Sequence, residues 1–306
     1  MKILGTRRGH TYSVAKKPIS DVLAGMAEIT SATDSAALRT EAKTTPSAWA
    51  LLPRGIWIWL TIKLVSIGCF LAHRKLLGFL FFFGPDPWLL YQLLAPTSCG
   101  FGRTYSHFQT TAREVWLTID DGPDPVTTPR LLDLLDRHQA RATFFVIGAQ
   151  VDANPALAAE ILRRGHELGN HTQNHPPHRI WRSWPQATAS EIDACQRAIV
   201  RASGRAPTRF RAPVGVKNVF LHGLLKRRGI DFVAWSARGF DCILKPDTAV
   251  NLILKGIRPG AIVLVHEGKG DVTRVALAER VLTEMQARGY RAVIPDAATL
   301  HARNSG

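Results

Sequence analysis

The feature that most constrains this chain is a rhythm that begins at Val115. Strand-like apolar runs alternate with helical patterns. VWLTID precedes TPRLLDLLDRHQ and RATFFVIG precedes NPALAAEILRRG. HELGNH leads through a loop to SEIDACQRAIVRAS, and RFRAP leads to NVFLHGLLKRRG. IDFVAWS precedes DTAVNLILKG, AIVLVH precedes RVALAERVLTEMQARG, and RAVI closes the series. Strands that alternate with helices build a mainly parallel sheet with helices outside it. About seven strands in roughly 190 residues predict a barrel-like or doubly wound domain, and both put their chemistry at the carboxyl ends of strands.

Polar residues fall where that rule asks for them. Asp120 and Asp121 follow VWLTI, His171 follows HELGN with His175 four residues on, and Arg211 follows TRF. Asp241 lies just beyond FVAWS, and His266 ends AIVLV. Histidines four apart on a helical turn share a face and can reach one divalent ion. A third ligand is available from the paired aspartates. Two imidazoles and a carboxylate leave positions open for water and substrate, which is a catalytic arrangement. Zinc is the default ion, with cobalt or nickel able to substitute. Alternation along a strand predicts that Asp120 and Asp121 point apart, so that one binds the ion and the other takes a proton from water. His266 is then placed to protonate a leaving amine or alcohol, Asp241 to orient it, and Arg211 to pair with the base aspartate. His178 follows two prolines and reads as a loop residue rather than a ligand.

The region before Val115 has another texture. Residues 1–47 are rich in Ala, Ser, Thr and charge, with Lys2, Arg7, Arg8, Lys16 and Lys17 in their first part, and read as a flexible basic tail. Ile56–Ala72 is apolar apart from Lys63 and a few hydroxyls, and extended back to Ala48 it reaches the roughly 20 residues a spanning helix needs. The next apolar stretch is interrupted by Gly84-Pro85-Asp86-Pro87, which breaks a helix, while Trp57, Trp59, Trp88 and Tyr91 suit a membrane interface. Residues 48–100 are therefore expected to anchor the chain, as one transmembrane helix plus an interfacial segment or as a helical hairpin. Lipid contact is expected through residues 48–94, and the expected location is the bacterial inner membrane. The net charge of +15 favours acidic partners such as anionic lipid or glycan. No RNP-like or zinc-finger signature accompanies it, so no nucleic-acid partner is expected. Cys69, Cys99, Cys195 and Cys242 are scattered and form no C-x-x-C pair.

From about Val115 to Pro295 the motifs resemble those of the NodB-homology polysaccharide deacetylases, carbohydrate esterase family four. The resemblance rests on Thr118-Ile119-Asp120-Asp121-Gly122-Pro123, Asn170-His171-Thr172-Gln173-Asn174-His175, Arg211-Ala212-Pro213-Val214-Gly215 and Leu264-Val265-His266. It implies a distorted (β/α)7 barrel over a catalytic domain of residues 101–306, and hydrolytic removal of N-acetyl groups from amino sugars in a polysaccharide or lipid-linked glycan. It further implies Asp120 as general base, His266 as general acid, and Asp121, His171 and His175 as metal ligands. Arg211 and Asp241 would assist, and Pro213, Gly215, Trp235 and Leu264 would line the substrate groove. The fourth motif departs from the family pattern D-x-x-D-W after Trp-Ser. Trp235-Ser236 is followed by Ala237-Arg238-Gly239-Phe240-Asp241-Cys242, so Arg238 and Cys242 stand where the family often has Asp and Trp. An O-deacetylase, a deformylase and a non-catalytic glycan-binding module are the alternatives, the last at odds with an intact base, ligand set and acid.

Overall fold

The computed structural model describes residues 47–176 and 182–303. His178 and all but the end of the expected basic tail lie outside the described residues. The strands are β1 (Thr104–Phe108), β2 (Glu114–Asp120), β3 (Ala142–Val146), β4 (Glu167–Asn170), β5 (Arg209–Phe210), β6 (Asp231–Phe232), β7 (Ala237–Arg238), β8 (Ala261–His266), β9 (Arg291–Ala292) and β10 (Leu300–Arg303). They form one sheet in the order β10-β1-β8-β2-β3-β4-β5-β6, with β7 beside β8 and β9 beside β2. The run from β8 through β6 is parallel, and β1 is antiparallel to β8 and β10. A bridge between Tyr105 and Val233 brings β1 back to the far edge, so the sheet curls nearly closed. This is the expected distorted barrel, with β5, β6 and β7 cut to two residues each.

Alternation along each strand sorts its side chains between two cores. Leu117 and Ile119 of β2, with Phe144 and Val146 of β3, join Leu131, Leu135, Ile161, Val281 and Leu282 in the layer under the outer helices. Those helices include Thr127–Arg137 and Val272–Ala287. Trp116, Phe145, Trp235, Ile262 and Leu264 fill the barrel interior. Both faces are buried, which is why the strand runs read as continuous apolar sequence. The inward set of β2 continues upward through Thr118 to Asp120, so the strand delivers its terminal carboxylate to the open end of the barrel.

Among the described residues, three α-helices precede the barrel: α1 (Arg54–Leu71), α2 (Lys75–Phe83) and α3 (Asp86–Leu94). The helix expected from Ala48 starts instead at Arg54, because Pro53 occupies the N-cap in an extended conformation and disfavours helix at the residue before it. At 18 residues, α1 is about 27 Å long and is the one described helix long and apolar enough to cross a membrane. Helix α2 folds back on α1, with Ser66 Oγ donating to the Gly78 carbonyl (2.7 Å), Lys63 Nζ to the Phe82 carbonyl, and Lys63 paired with Asp86 at 2.6 Å. Leu64, Leu71, Leu76, Phe79 and Leu80 face outward.

Both ends of this helical region are stitched to the barrel. Leu51 packs with Leu221, Leu225 and Phe232. The buried Lys217 ammonium donates to the carbonyls of Ala95 and Ser98, each at 2.8 Å, and to Ser98 Oγ at 2.6 Å. Burial pushes its pKa down to about 7.

Candidate active site

In β2, Asp120 is in register with His266 of β8 on one side and with Phe145 of β3 on the other. Its Oδ1 accepts a 2.7 Å bond from the Arg211 guanidinium. Arg211 is wholly buried and every arm of its fork is used. It also donates to Thr118 Oγ1 and to the carbonyls of Val233 and Ala234, and it lies 4.2 Å over the Phe145 ring. A guanidinium fixed in this way locks the Asp120 carboxylate and leaves Oδ2 facing His171 Nε2 at 3.8 Å.

Alternation predicts that Asp121 points away from Asp120; it does not. Asp121 has φ +79°, a left-handed conformation that ends the strand and swings the carboxylate back over the same opening. Its Oδ1 comes to 3.5 Å from His171 Nε2 and 3.4 Å from His175 Nε2. The two carboxylates converge rather than diverge.

The histidines also meet in an unexpected way. No helix joins them: His171 follows β4, and the chain reaches His175 through a turn with Thr172 at φ +70° and His175 at φ +48°. Asn170 Oδ1 accepts from the Thr172 amide, and Thr172 Oγ1 accepts from the His175 amide. The turn brings the rings to 4.9 Å between centroids. His171 Nδ1 bonds the Arg211 carbonyl at 2.9 Å, which fixes the tautomer with a lone pair on Nε2.

Whether a cation fits here can be judged from Asp121 Oδ1, which is buried with no hydrogen-bond partner. It faces two imidazole nitrogens at distances too long for normal hydrogen bonds. Burial opposes the Asp121 charge, but His171, His266 and His175 outweigh it and hold the carboxyl well below the usual range. Burial and the neighbouring His171 push His175 down, so its nitrogen stays available as a donor. Asp121, His171 and His175 offer one ligand atom each within 4.8 Å of one another. An anionic oxygen and two imidazole nitrogens gathered this closely fit a divalent transition ion.

Across the opening, His266 Nδ1 bonds Asp241 Oδ1 at 2.9 Å, and its backbone amide donates to Asp241 Oδ2 at 2.8 Å. Burial works against an imidazolium, but the Asp241 bond more than offsets it and raises the His266 pKa well above its ordinary value. The ring is therefore set up to carry a proton at neutral pH. Of the remaining sequence candidates, Trp235 and Leu264 lie in the packed interior beneath the site. Pro213 and Gly215 are buried in the turn that follows Arg211. Gly215 has φ +75°, and a Cβ there would press on Trp235 and Pro96. A cavity of about 850 Å³ lined by Arg54, Arg103, His222 and Lys226 holds none of the clustered residues.

Comparison with known proteins bears on this constellation. The polysaccharide deacetylase profile matches residues 108–233. A chitooligosaccharide deacetylase of Bradyrhizobium sp. (strain ANU 289) is 40% identical over 196 residues, 63% of this chain and 88% of the relative. The chain belongs to the polysaccharide deacetylase family. A peptidoglycan-N-acetylglucosamine deacetylase of Bacillus cereus is 36% identical over 188 residues, covering 58% of this chain and 84% of the relative. A crystal structure of a peptidoglycan N-acetylglucosamine deacetylase superposes with a TM-score of 0.58 at 28% identity, over 62% of this chain and 89% of that one. Polysaccharide deacetylases are enzymes that hydrolyse carbohydrate amides, and this chain is one of them.

Three further residues escape sequence reading. Glu267, next to His266, is buried beneath the Asp121–Pro123 turn, with Oε2 accepting from Thr128 Oγ1 (2.6 Å) and Thr127 Oγ1 (3.2 Å). A Cβ at Gly122 would overlap its carboxyl group, which explains the glycine in that motif. An acid directly after the apolar AIVLVH run was the available signal. Val214 and Phe240, with φ +50° and +55°, expose apolar side chains; Phe240 also stacks on Arg238 at 3.7 Å. Neither had a sequence signal.

Proposed function

We propose that this chain removes N-acetyl groups from amino sugars in a polysaccharide or lipid-linked glycan. The observation that carries the reading is the orphaned Asp121 Oδ1 between His171 and His175, flanked by a locked carboxylate and a carboxylate-backed imidazole. In this reading Asp121, His171 and His175 hold a divalent ion, zinc by donor set, with cobalt or nickel also competent. When bound, the ion supplies Lewis acidity toward a carbonyl oxygen and toward water. Asp120 takes the proton from the attacking water through Oδ2, while Arg211 holds Oδ1. His266 gives its proton to the departing amine, which is otherwise a very poor leaving group. Asp241 keeps that ring oriented and charged until the C–N bond breaks. The buried Trp235 and Leu264 support the floor, and Pro213 and Gly215 shape the rim. The relatives' names, chitooligosaccharide and peptidoglycan N-acetylglucosamine deacetylase, favour an N-acetylglucosamine glycan as substrate.

We further propose that residues 101–306 are the catalytic domain and that residues 48–100 tether it to a membrane. The outward-facing apolar side chains of α1 and α2 support the tether. Zinc-loaded protein given N-acetylated, O-acetylated and N-formylated sugars in parallel tests the activity. Acetate release from N-acetylated oligomers is expected. Release from the O-acetyl or formyl substrates alone would replace this reading with an esterase or a deformylase.

A further inference from the structure

The departure in the fourth motif places a thiol beside the proton donor. A carboxylate oxygen of Asp241, Sγ of Cys242 and an imidazole nitrogen of His266 lie within 4.8 Å of one another. Cys242 is exposed. None of the three belongs to the Asp121, His171 and His175 set. Ligand atoms around tetrahedral zinc stand about 3.3–3.6 Å apart. An ion on Nδ1 takes the place of the shared proton, so the 2.9 Å Asp241–His266 hydrogen bond has to break and the Asp241 carboxylate swing off the Nδ1 axis to admit it. Carboxylate, thiolate and imidazole form a donor set for zinc or cadmium and a poor one for magnesium or calcium. Asp241 and His266 alone make an ordinary proton-relay pair. The thiol at position 242 converts the pair into a three-donor site.

We propose that Asp241, Cys242 and His266 form a second metal site, selective for thiophilic divalent ions, whose occupation removes His266 from proton transfer. On binding, the thiol proton and the proton shared between His266 and Asp241 pass to solvent, and the sulfur and the imidazole nitrogen coordinate the ion. Binding at this site does not depend on which sugar the enzyme accepts; the inhibitory consequence rests on His266 acting as the acid proposed above.

The test titrates zinc-loaded full-length protein in detergent with Cd²⁺, reading metal content and the ultraviolet cadmium–thiolate absorption. Cys242→Ser and Cys242→Ala are run beside it. The wild type should take up one more equivalent than either variant and show a thiolate band that both lack, which separates Cys242 from Cys69, Cys99 and Cys195. Excess Zn²⁺ should inhibit wild-type acetate release at least tenfold more strongly, relative to its own uninhibited rate, than it inhibits the variants. Equal cadmium uptake and equal absorption in all three proteins would overturn the site. The extra uptake with equal zinc inhibition would overturn the claim that it disables His266. Loss of all acetate release with the extra uptake intact would count against the deacetylase reading and leave the metal site standing.

Discussion

Glu267→Gln isolates the residue beneath the Asp121–Pro123 turn. Burial, assisted by repulsion from Asp124 and Asp121 and opposed by the Thr128 and Thr127 hydroxyls, lifts the Glu267 pKa from 4.5 to about 8. The folded protein thus holds this acid protonated where the unfolded chain has released the proton. The stabilising contribution is complete below pH 4.5 and is lost as pH rises through about 8. At 1.36 kcal/mol per pKa unit, the loss between pH 6 and pH 9 is about 3 kcal/mol. Glutamine copies the neutral form without titrating. Guanidinium unfolding of the full chain in mild detergent, followed by tryptophan fluorescence at pH 6 and pH 9, should show the variant gaining about 3 kcal/mol on the wild type across that range. Other titrating groups, His266 among them, act in both proteins and cancel in the difference. Parallel curves would refute a protonated Glu267 in the native state.

Asp241→Asn removes the charge that raises His266. In the proposed mechanism His266 acts only while protonated, so the high-pH limb of the kcat/KM profile should move to lower pH; an unmoved limb would separate that limb from His266. His171→Ala should lower bound metal in the purified protein by at least tenfold in affinity, measured by elemental analysis after dialysis, and unchanged stoichiometry would contradict its role as a ligand. Leu64→Asp with Ile67→Asp places charges on outward-facing positions of α1, 68% and 52% exposed. The double variant should leave the membrane pellet on fractionation, whereas retention there would shift the tether to the basic surface of the barrel.

The strand–helix rhythm made the barrel legible because parallel strands buried on both faces leave apolar runs that the eye can count. The same pattern placed Asp120, Arg211, Asp241 and His266 at strand ends, and the structure brings them to one opening. What the pattern could not carry is conformation outside regular elements. Continued alternation predicts an Asp121 that points away, yet a single left-handed residue reverses its direction. The His171–His175 pair was expected on a helix, but an Asx-capped turn delivers the same proximity. Hydropathy alone runs α1 back to Ala48 because it does not register Pro53, which holds the start at Arg54. Glu267 went unread because its effect arises from burial against Thr127, Thr128 and Gly122, more than 130 residues away in sequence.

The most direct test of the central claim is acetate release from an N-acetylglucosamine oligomer by zinc-loaded wild type and Asp120→Asn, with metal content measured on the same samples. Asp120 sits beside the proposed ligand set without belonging to it, so the variant should retain its metal and lose about 10²-fold or more in turnover. Near wild-type release by metal-replete Asp120→Asn would contradict the assignment of Asp120 as the group that takes the water's proton.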